Sequence, residues 1–96
     1  MDLQLKDKVA IVTGGSKGIG EGIVRALLAE GAKIANVNRS TEEGLALQAE
    51  YEAKGQECFF IQGDLTDIEA CRRAVESTIE KFGRVDIVVN NAGVND

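Results

Sequence analysis

The chain has 96 residues, 44% of them hydrophobic and 28% charged, which suits one soluble globular domain and excludes both disorder and a second domain. Its net charge of -5 and its scattered basic residues argue against a nucleic-acid partner. Residues 1–6 lack the long apolar run of a signal peptide or a membrane span, so we expect a cytoplasmic protein with no membrane partner.

The two cysteines show neither a pairing pattern nor a metal-type spacing, and the chain has no histidine. Cys58 falls in an apolar, strand-like run, and Cys71 falls on a predicted helix. We therefore expect two buried free thiols, a reducing compartment and no metal site.

Four short apolar runs alternate with three longer segments of helical periodicity. The short runs are rich in β-branched or aromatic side chains and are too short for helices, which predicts strands buried in a parallel sheet. The predicted strands are residues 9–12, 33–38, 57–62 and 87–89. Each predicted helix ends at a glycine suited to a left-handed cap, namely Gly31, Gly55 and Gly83.

Two capping patterns mark where the second and third helices begin. Ser40-Thr41-Glu42-Glu43 has the form of a capping box before a helix that extends to Lys54. Thr66, three residues before Glu69, repeats the pattern and predicts Thr66 as the cap of helix three. The predicted inner face of helix three consists of Cys71, Val75, Thr78, Ile79 and Phe82.

The alternation βαβαβαβ predicts an α/β fold, a Rossmann-type doubly wound parallel sheet with strand order 3-2-1-4. In such a sheet, ligands bind outside the carboxyl ends of the strands. Polar or glycine-rich segments follow the end of every predicted strand: 13–20, 38–40, 63–65 and 90–93. One strand residue, Asn36, is polar where the pattern requires an apolar side chain, and the sequence offers no account of it.

The first of these segments is typical of a phosphate-binding turn. It reads Thr13-Gly14-Gly15-Ser16-Lys17-Gly18-Ile19-Gly20. Glycines between a strand and a helix let an anion approach the main chain, where the helix start offers unpaired N–H groups and partial positive charge. The simpler alternative is a glycine-rich turn that only closes a tight connection.

The glycine spacing is looser than the G-x-G-x-x-G dinucleotide fingerprint and resembles the cofactor loop of the short-chain dehydrogenase/reductase family. A second segment, Asn90-Asn91-Ala92-Gly93, is similar to the N-N-A-G motif of that family after strand four. The resemblance covers essentially the whole chain, as the cofactor-binding half of a longer family fold. It implies one dinucleotide-binding domain over residues 1–96, hydride transfer to or from a small-molecule alcohol/carbonyl substrate, and a homodimer or homotetramer when full length.

The resemblance also implies a role for each motif. The pyrophosphate would lie against Gly14, Ser16, Lys17, Gly18, Ile19 and Gly20. Asn91, Ala92 and Gly93 would line the adenosine and ribose side, while Asn90 would tie neighbouring strands together. Asp64 would accept from the adenine amino group and the Leu65 amide would donate to a ring nitrogen. The alternative for Asp64 is a turn residue that bonds its own backbone.

The residues after strand two bear on the choice of cofactor. Dinucleotide-binding folds commonly place an acid there for the ribose hydroxyls, whereas a nearby arginine accommodates a 2′-phosphate. Here the neutral Asn38 precedes Arg39 and Ser40, and Lys17 supplies a second cation. The segment favours NADP(H), with NAD(H) as the alternative. The simpler interpretations are a solvated Arg39, a Ser40 that only caps helix two and a Lys17 that points to water.

No catalytic residue is predicted in these 96 residues. The family resembled here uses a serine and a Tyr-x-x-x-Lys pair further along its chain. Tyr51, with Lys54 at the wrong offset, lies on a predicted crossover helix and is expected to be a packing or surface residue. The alternative to an oxidoreductase is a non-catalytic nucleotide-sensing Rossmann module. A site for flavin or another adenine nucleotide is disfavoured by the loop spacing.

Overall fold

A computed structural model describes residues 4–14, 18–64 and 66–91 of the chain. Its elements alternate in the predicted order: β1 Val9–Thr13, α1 Gly18–Ala29, β2 Lys33–Asn38, α2 Thr41–Glu52, β3 Cys58–Gln62, α3 Ile68–Phe82 and β4 Ile87–Asn90. All strand pairs are parallel, and the strand order is β3-β2-β1-β4. The predicted Rossmann-type α/β fold is confirmed.

The central strands β1 and β2 are buried on both faces of the sheet, between which their side chains alternate, whereas β3 and β4 are only partly buried. On the face of α1 and α2, Ala10 and Val12 of β1 belong to a cluster with Val24 and Leu28. On the other face, Ile11 packs in a cluster with side chains of β2 and α3. All five residues of β1 are buried, which explains why this strand reads as a continuous apolar run.

The inner face of α3 agrees with the predicted one at Thr78 and Phe82 and differs at the other predicted positions. Its buried residues are Ala70, Ala74 and Thr78, spaced by four, whereas Val75 and Ile79 are 42% and 47% exposed. Small side chains let the helix lie close to the sheet. The buried hydroxyl of Thr78 donates to the carbonyl of Ala74 at 2.7 Å, which satisfies its hydrogen-bonding capacity inside the core.

The rotation of α3 also corrects one of the two cysteine predictions. Cys71 is half-buried, so the prediction that it is a buried thiol was wrong. Cys58 is buried as predicted, with 1% of its surface exposed. Burial disfavours the thiolate and raises the pKa of Cys58 to about 11, so this thiol is chemically inert at neutral pH.

The helix termini confirm part of the capping predictions. Gly31 and Gly83 adopt left-handed conformations, with φ of +88° and +85°. The cap of α3, however, is Asp67, whose side chain accepts from the N–H of Glu69 at 3.0 Å, and Thr66 lies one residue too early. Ser40 is the N-cap residue of α2, but its side chain makes no capping hydrogen bond.

Gly44 on α2 lies directly against the ring of Phe60 on β3, and a β-carbon at this position would overlap three ring carbons. Alanine normally stabilises a helix relative to glycine by about 1 kcal/mol, whereas overpacking costs about 1 to 3 kcal/mol. We expect Gly44→Ala to lower the free energy of unfolding by about 1 kcal/mol in urea titrations. Gly22→Ala, on α1 with open space around it, is the matched control and should raise it. Stabilisation by both substitutions would show that Phe60 moves aside freely.

Asp86 connects β4 to the start of β1. Its carboxylate accepts from the N–H of Val9 at 2.9 Å and from the Arg84 guanidinium at 2.6 Å. These two donors hold the pKa of Asp86 below its ordinary value of 3.8, with Arg84 contributing most. Asp86 therefore stabilises the fold above the ordinary pKa, and this contribution is lost as the pH falls through the lowered one.

We expect Asp86→Asn to be less stable than the wild type near neutral pH, and the difference to shrink on acidification below about pH 3.8. The asparagine is uncharged at every pH, whereas the carboxylate of Asp86 loses its stabilising charge when acid protonates it. Urea unfolding at about pH 6 and about pH 3 measures the two differences. A constant difference at both pH values would contradict the assignment.

Candidate cofactor-binding site

The carboxyl ends of all four strands meet at one edge of the sheet. In the strand register, Thr13 of β1 lies opposite both Val37 of β2 and Asn90 of β4. Asn38 of β2 lies opposite Gln62 of β3. The chain leaves β1 toward β2 and later returns to the far side of β1 as β4, and sheets of this type bind ligands in the crevice at such a reversal of strand order.

The turn after β1 is packed so tightly that it requires glycine. Gly14 has a φ of +70° and donates its N–H to the carbonyl of Val37 at 2.7 Å. Gly20, in the first turn of α1, is buried beneath it. A β-carbon on Gly20 would overlap the Gly14 carbonyl oxygen and lie 2.5 Å from Nδ2 of Asn91. The backbone of this turn therefore lies directly against the helix start, as close helix–strand packing in dinucleotide-binding folds requires.

Thr13 joins this turn to the end of β4. Its hydroxyl oxygen accepts from the backbone N–H of Asn91 at 2.7 Å and lies 3.2 Å from Oδ1 of Asn90, to which the hydroxyl donates. The side-chain amide of Asn91 donates to the Gly14 carbonyl at 3.4 Å. Both asparagines therefore connect β4 to β1, although the sequence assigned this role to Asn90 alone. These hydrogen bonds hold the end of β4 against the end of β1.

The start of α1 presents the chemistry of an anion site. The helix begins at Gly18, and both Gly18 and Ile19 are exposed at its first turn. The first N–H groups of a helix have no partner within it, and its N-terminus carries partial positive charge. A phosphate at this position would receive hydrogen bonds from those groups.

The turn after β2 is ordered by an asparagine. Oδ1 of Asn38 accepts from the backbone N–H of Ser40 at 2.8 Å. Between them, Arg39 is exposed and forms no ion pair with any residue that the structure describes. Its guanidinium is thus available to an anionic ligand at the carboxyl edge of the sheet.

Asp64 lies beyond the end of β3 and forms a turn with its own chain. Its Oδ1 accepts from the backbone N–H and from the hydroxyl of Thr66, at 3.0 and 2.8 Å. These bonds, with a smaller contribution from the charge of Arg39, hold the pKa of Asp64 below its usual value. The structure thus shows Asp64 as a turn residue that bonds its own backbone, which was the alternative interpretation of this residue. Its second oxygen, Oδ2, makes no hydrogen bond with the described residues.

The model of one protein family matches residues 8–96 of the chain, under the description short chain dehydrogenase. The chain belongs to the short-chain dehydrogenase family. This membership confirms the resemblance on which the sequence interpretation rested. It also accounts for a glycine turn and an asparagine pair at the ends of β1 and β4.

Individual members of the short-chain dehydrogenase family agree over almost the whole chain. The 15-hydroxyprostaglandin dehydrogenase [NAD(+)] of Macaca fascicularis is 42% identical over 98% of this chain and 36% of its own length. A blue fluorescent protein from a metagenomic library, solved with NADPH, is 49% identical, with a TM-score of 0.87 over 94% of this chain and 38% of its own. L-Sorbose reductase from Gluconobacter frateurii, solved with NADPH and L-sorbose, is 35% identical, with a TM-score of 0.92 over 100% of this chain and 37% of its own. The chain thus spans little more than a third of the length of these relatives.

Not every predicted cofactor residue of this short-chain dehydrogenase chain can be placed. Gly14, Gly18, Ile19, Gly20, Asn38, Arg39, Ser40, Asp64 and Asn91 lie along the carboxyl edge of the sheet. Ser16, Lys17, Leu65, Ala92 and Gly93 lie outside the described residues. Among residues 4–14, 18–64 and 66–91, no helix has the length and hydrophobicity of a membrane span, and no group of three metal-binding side chains occurs.

Two residues of the site were not assigned from the sequence. Thr13 was treated only as part of the glycine motif, yet its hydroxyl joins β1 to β4. Asn36 is fully buried, and its Oδ1 accepts from Nδ2 of Asn38 at 3.2 Å. The signal for Asn36 was present in the sequence, because a polar residue two positions before Asn38 must share its face of the strand.

Tyr51 was predicted to be a packing or surface residue, and it packs. It lies on the buried face of α2, 6% exposed, and its hydroxyl accepts from the Arg25 guanidinium at 3.2 Å. The same guanidinium bonds Glu50 of α2 and Glu21 of α1. Tyr51 thus belongs to the contact between the two helices.

Proposed function

We propose that residues 1–96 form the dinucleotide-binding domain of an oxidoreductase that transfers a hydride between a nicotinamide cofactor and a small-molecule alcohol/carbonyl substrate. The observation that carries the proposal is the packing of Gly20 beneath the Gly14 carbonyl and beside the Asn91 amide. This packing brings the turn after β1 against an exposed helix start. The cofactor supplies the hydride chemistry, and the described residues bind and orient it.

The pyrophosphate is proposed to lie over the start of α1, against Gly14, Gly18, Ile19 and Gly20, with Ser16 and Lys17 from the same loop. The dinucleotide fits because the first helical turn is exposed and no side chain at Gly14, Gly18 or Gly20 covers the main chain. Family membership and the NADPH in two solved relatives support the same assignment.

The cofactor is proposed to be NADP(H), with NAD(H) as the alternative. Three features support a 2′-phosphate at the end of β2: the neutral Asn38, the exposed Arg39 that forms no ion pair with the described residues, and the Ser40 hydroxyl that makes no capping bond. Two solved relatives contain NADPH, whereas the relative from Macaca fascicularis has NAD(+) in its name. The chemistry of this turn therefore supports the proposal of NADP(H).

The adenosine half is proposed to extend toward β3 and β4. Adenine would donate its amino group to Oδ2 of Asp64, the carboxylate oxygen that Thr66 does not use, and accept from the Leu65 amide. Asn91, Ala92 and Gly93 would line the adenosine and ribose. We also propose a cytoplasmic location, supported by the two free thiols, and a homodimer or homotetramer for the full-length protein.

Calorimetric titration of the chain with NADPH, NADH and FAD tests the proposal. We expect saturable binding of both pyridine nucleotides, tighter for NADPH, and no binding of FAD. If a folded chain bound neither NADPH nor NADH, the assignment of the glycine turn as the pyrophosphate site would be overturned. Tighter binding of NADH than of NADPH would overturn the choice of cofactor only.

A further inference from the structure

Asn36 is an amide in the centre of the sheet. It is fully buried, and it lies between Val12 of β1 and Phe60 of β3 in the strand register. Burying a side-chain amide costs free energy unless it is hydrogen-bonded, so an apolar residue would be the simpler choice in this strand. One partner of Asn36 among the described residues indicates what the amide does there.

That partner is the side chain that orders the turn after β2. Nδ2 of Asn38 donates to Oδ1 of Asn36 at 3.2 Å, and Oδ1 of Asn38 accepts from the Ser40 N–H at 2.8 Å. A backbone N–H only donates, so the oxygen of Asn38 must face Ser40 and its NH₂ must face Asn36. The atom that Asn36 presents must then be its oxygen. One chain of hydrogen bonds runs from the core to the turn that carries Arg39.

We propose that Asn36 is a positioning residue that contributes to cofactor selectivity by holding Asn38 as an amide donor and fixing the turn that presents Arg39. This inference rests on the proposed 2′-phosphate site. An aspartate at position 38, the residue type that binds ribose hydroxyls and repels a phosphate, would place a second acceptor oxygen opposite Oδ1 of Asn36. In the orientation observed, with its oxygen toward position 38, the buried amide favours a neutral donor there. A turn held before binding loses less conformational entropy when the ligand arrives.

The test compares Asn36→Leu, which has a similar shape and no acceptor, with Ile34→Ala. Ile34 is fully buried on the same strand and the same face, two residues away, and its side chain has no polar atom. Dissociation constants for NADPH and NADH are measured by calorimetry for each variant. We expect Asn36→Leu to weaken NADPH binding about three- to tenfold more than NADH binding, the effect of one lost hydrogen bond. Ile34→Ala should leave the ratio of the two constants unchanged, because general destabilisation affects both cofactors equally.

Two further measurements separate this inference from the proposed function. First, the side-chain amide signals of Asn38 in ¹⁵N-labelled protein should move in Asn36→Leu without any cofactor. Second, Asn36→Leu in an Arg39→Ala background should change the NADPH to NADH ratio no further, because Asn36 acts through the turn that presents Arg39. If Asn36→Leu does not fold, Asn36→Val, smaller and well suited to a strand, takes its place with the same expected shift.

An unchanged ratio in Asn36→Leu, alongside a changed ratio in Arg39→Ala, would overturn the role of Asn36 and leave the proposed function standing. An unchanged ratio in Arg39→Ala would overturn the 2′-phosphate site itself. If Asn36→Leu changed the NADPH to NADH ratio as much in the Arg39→Ala background as in the wild type, Asn36 would act independently of Arg39. That result would also overturn the inference.

Discussion

Gly20→Ala is expected to weaken the binding of NADPH and NADH alike, by at least about tenfold. The added methyl group would displace the start of α1 from the proposed pyrophosphate, and each charge-assisted hydrogen bond lost contributes about 1.5 to 3 kcal/mol. The methyl group would overlap the Gly14 carbonyl oxygen, which is backbone and cannot rotate away. Overpacking of this kind also lowers the free energy of unfolding by about 1 to 3 kcal/mol. Calorimetry and urea unfolding measure the two effects.

Gly22→Ala is the matched control on the same helix, because a β-carbon at Gly22 meets nothing within 4 Å. It should bind both cofactors as the wild type does and should be slightly more stable, since alanine favours the helix over glycine. If Gly20→Ala bound the pyridine nucleotides as tightly as Gly22→Ala, the glycine turn would not be the pyrophosphate site.

Arg39→Ala is expected to weaken NADPH binding by about 1 to 3 kcal/mol, or ~5- to ~150-fold, with little effect on NADH. The guanidinium would bond the 2′-phosphate, which only NADPH carries. Arg39 is exposed and has no ion-pair partner among the described residues, so its removal disturbs no salt bridge seen in the fold. The dissociation constants of both cofactors at one fixed salt concentration provide the measurement.

Arg84→Ala controls for the change in net charge. Arg84 precedes β4 and bonds Asp86, which contacts the first residue of β1 at the opposite end of the sheet. Its removal should leave the NADPH to NADH ratio at the wild-type value. Equal losses of both cofactors in Arg39→Ala would show that Arg39 contacts a part of the dinucleotide that NADH shares.

Most of the fold could be predicted from local sequence patterns. Strands such as β1 are buried on both faces, so they appear as short apolar runs, and Gly31 and Gly83 end their helices because a left-handed conformation favours glycine. The strand order followed from the right-handed connection between parallel strands. The glycine turn was recognisable because its packing against the start of α1 demands a residue without a side chain.

The sequence predictions failed where the choice between neighbouring side chains depends on packing or on a local hydrogen bond. Val75 and Ile79 were assigned to the inner face of α3 because they are large and apolar, but the helix contacts the sheet through Ala74 and Thr78. Helical periodicity identifies residues that share one face of a helix, but it does not give the distance between that helix and the sheet. In the same way, Thr66 matches a capping pattern, but its hydroxyl bonds Asp64, and Asp67 caps the helix instead.

The sequence by itself determined the order of elements, the edge of the sheet at which the candidate site residues gather and the family, since these depend on side-chain type and spacing along the chain. Only the tertiary structure decided the hydrogen bond between Asn36 and Asn38 and the contact between Gly20 and Gly14. Both depend on which atoms approach one another across strands and turns. Hydrogen bonds and steric overlap act over a few ångströms, and that distance is set by packing.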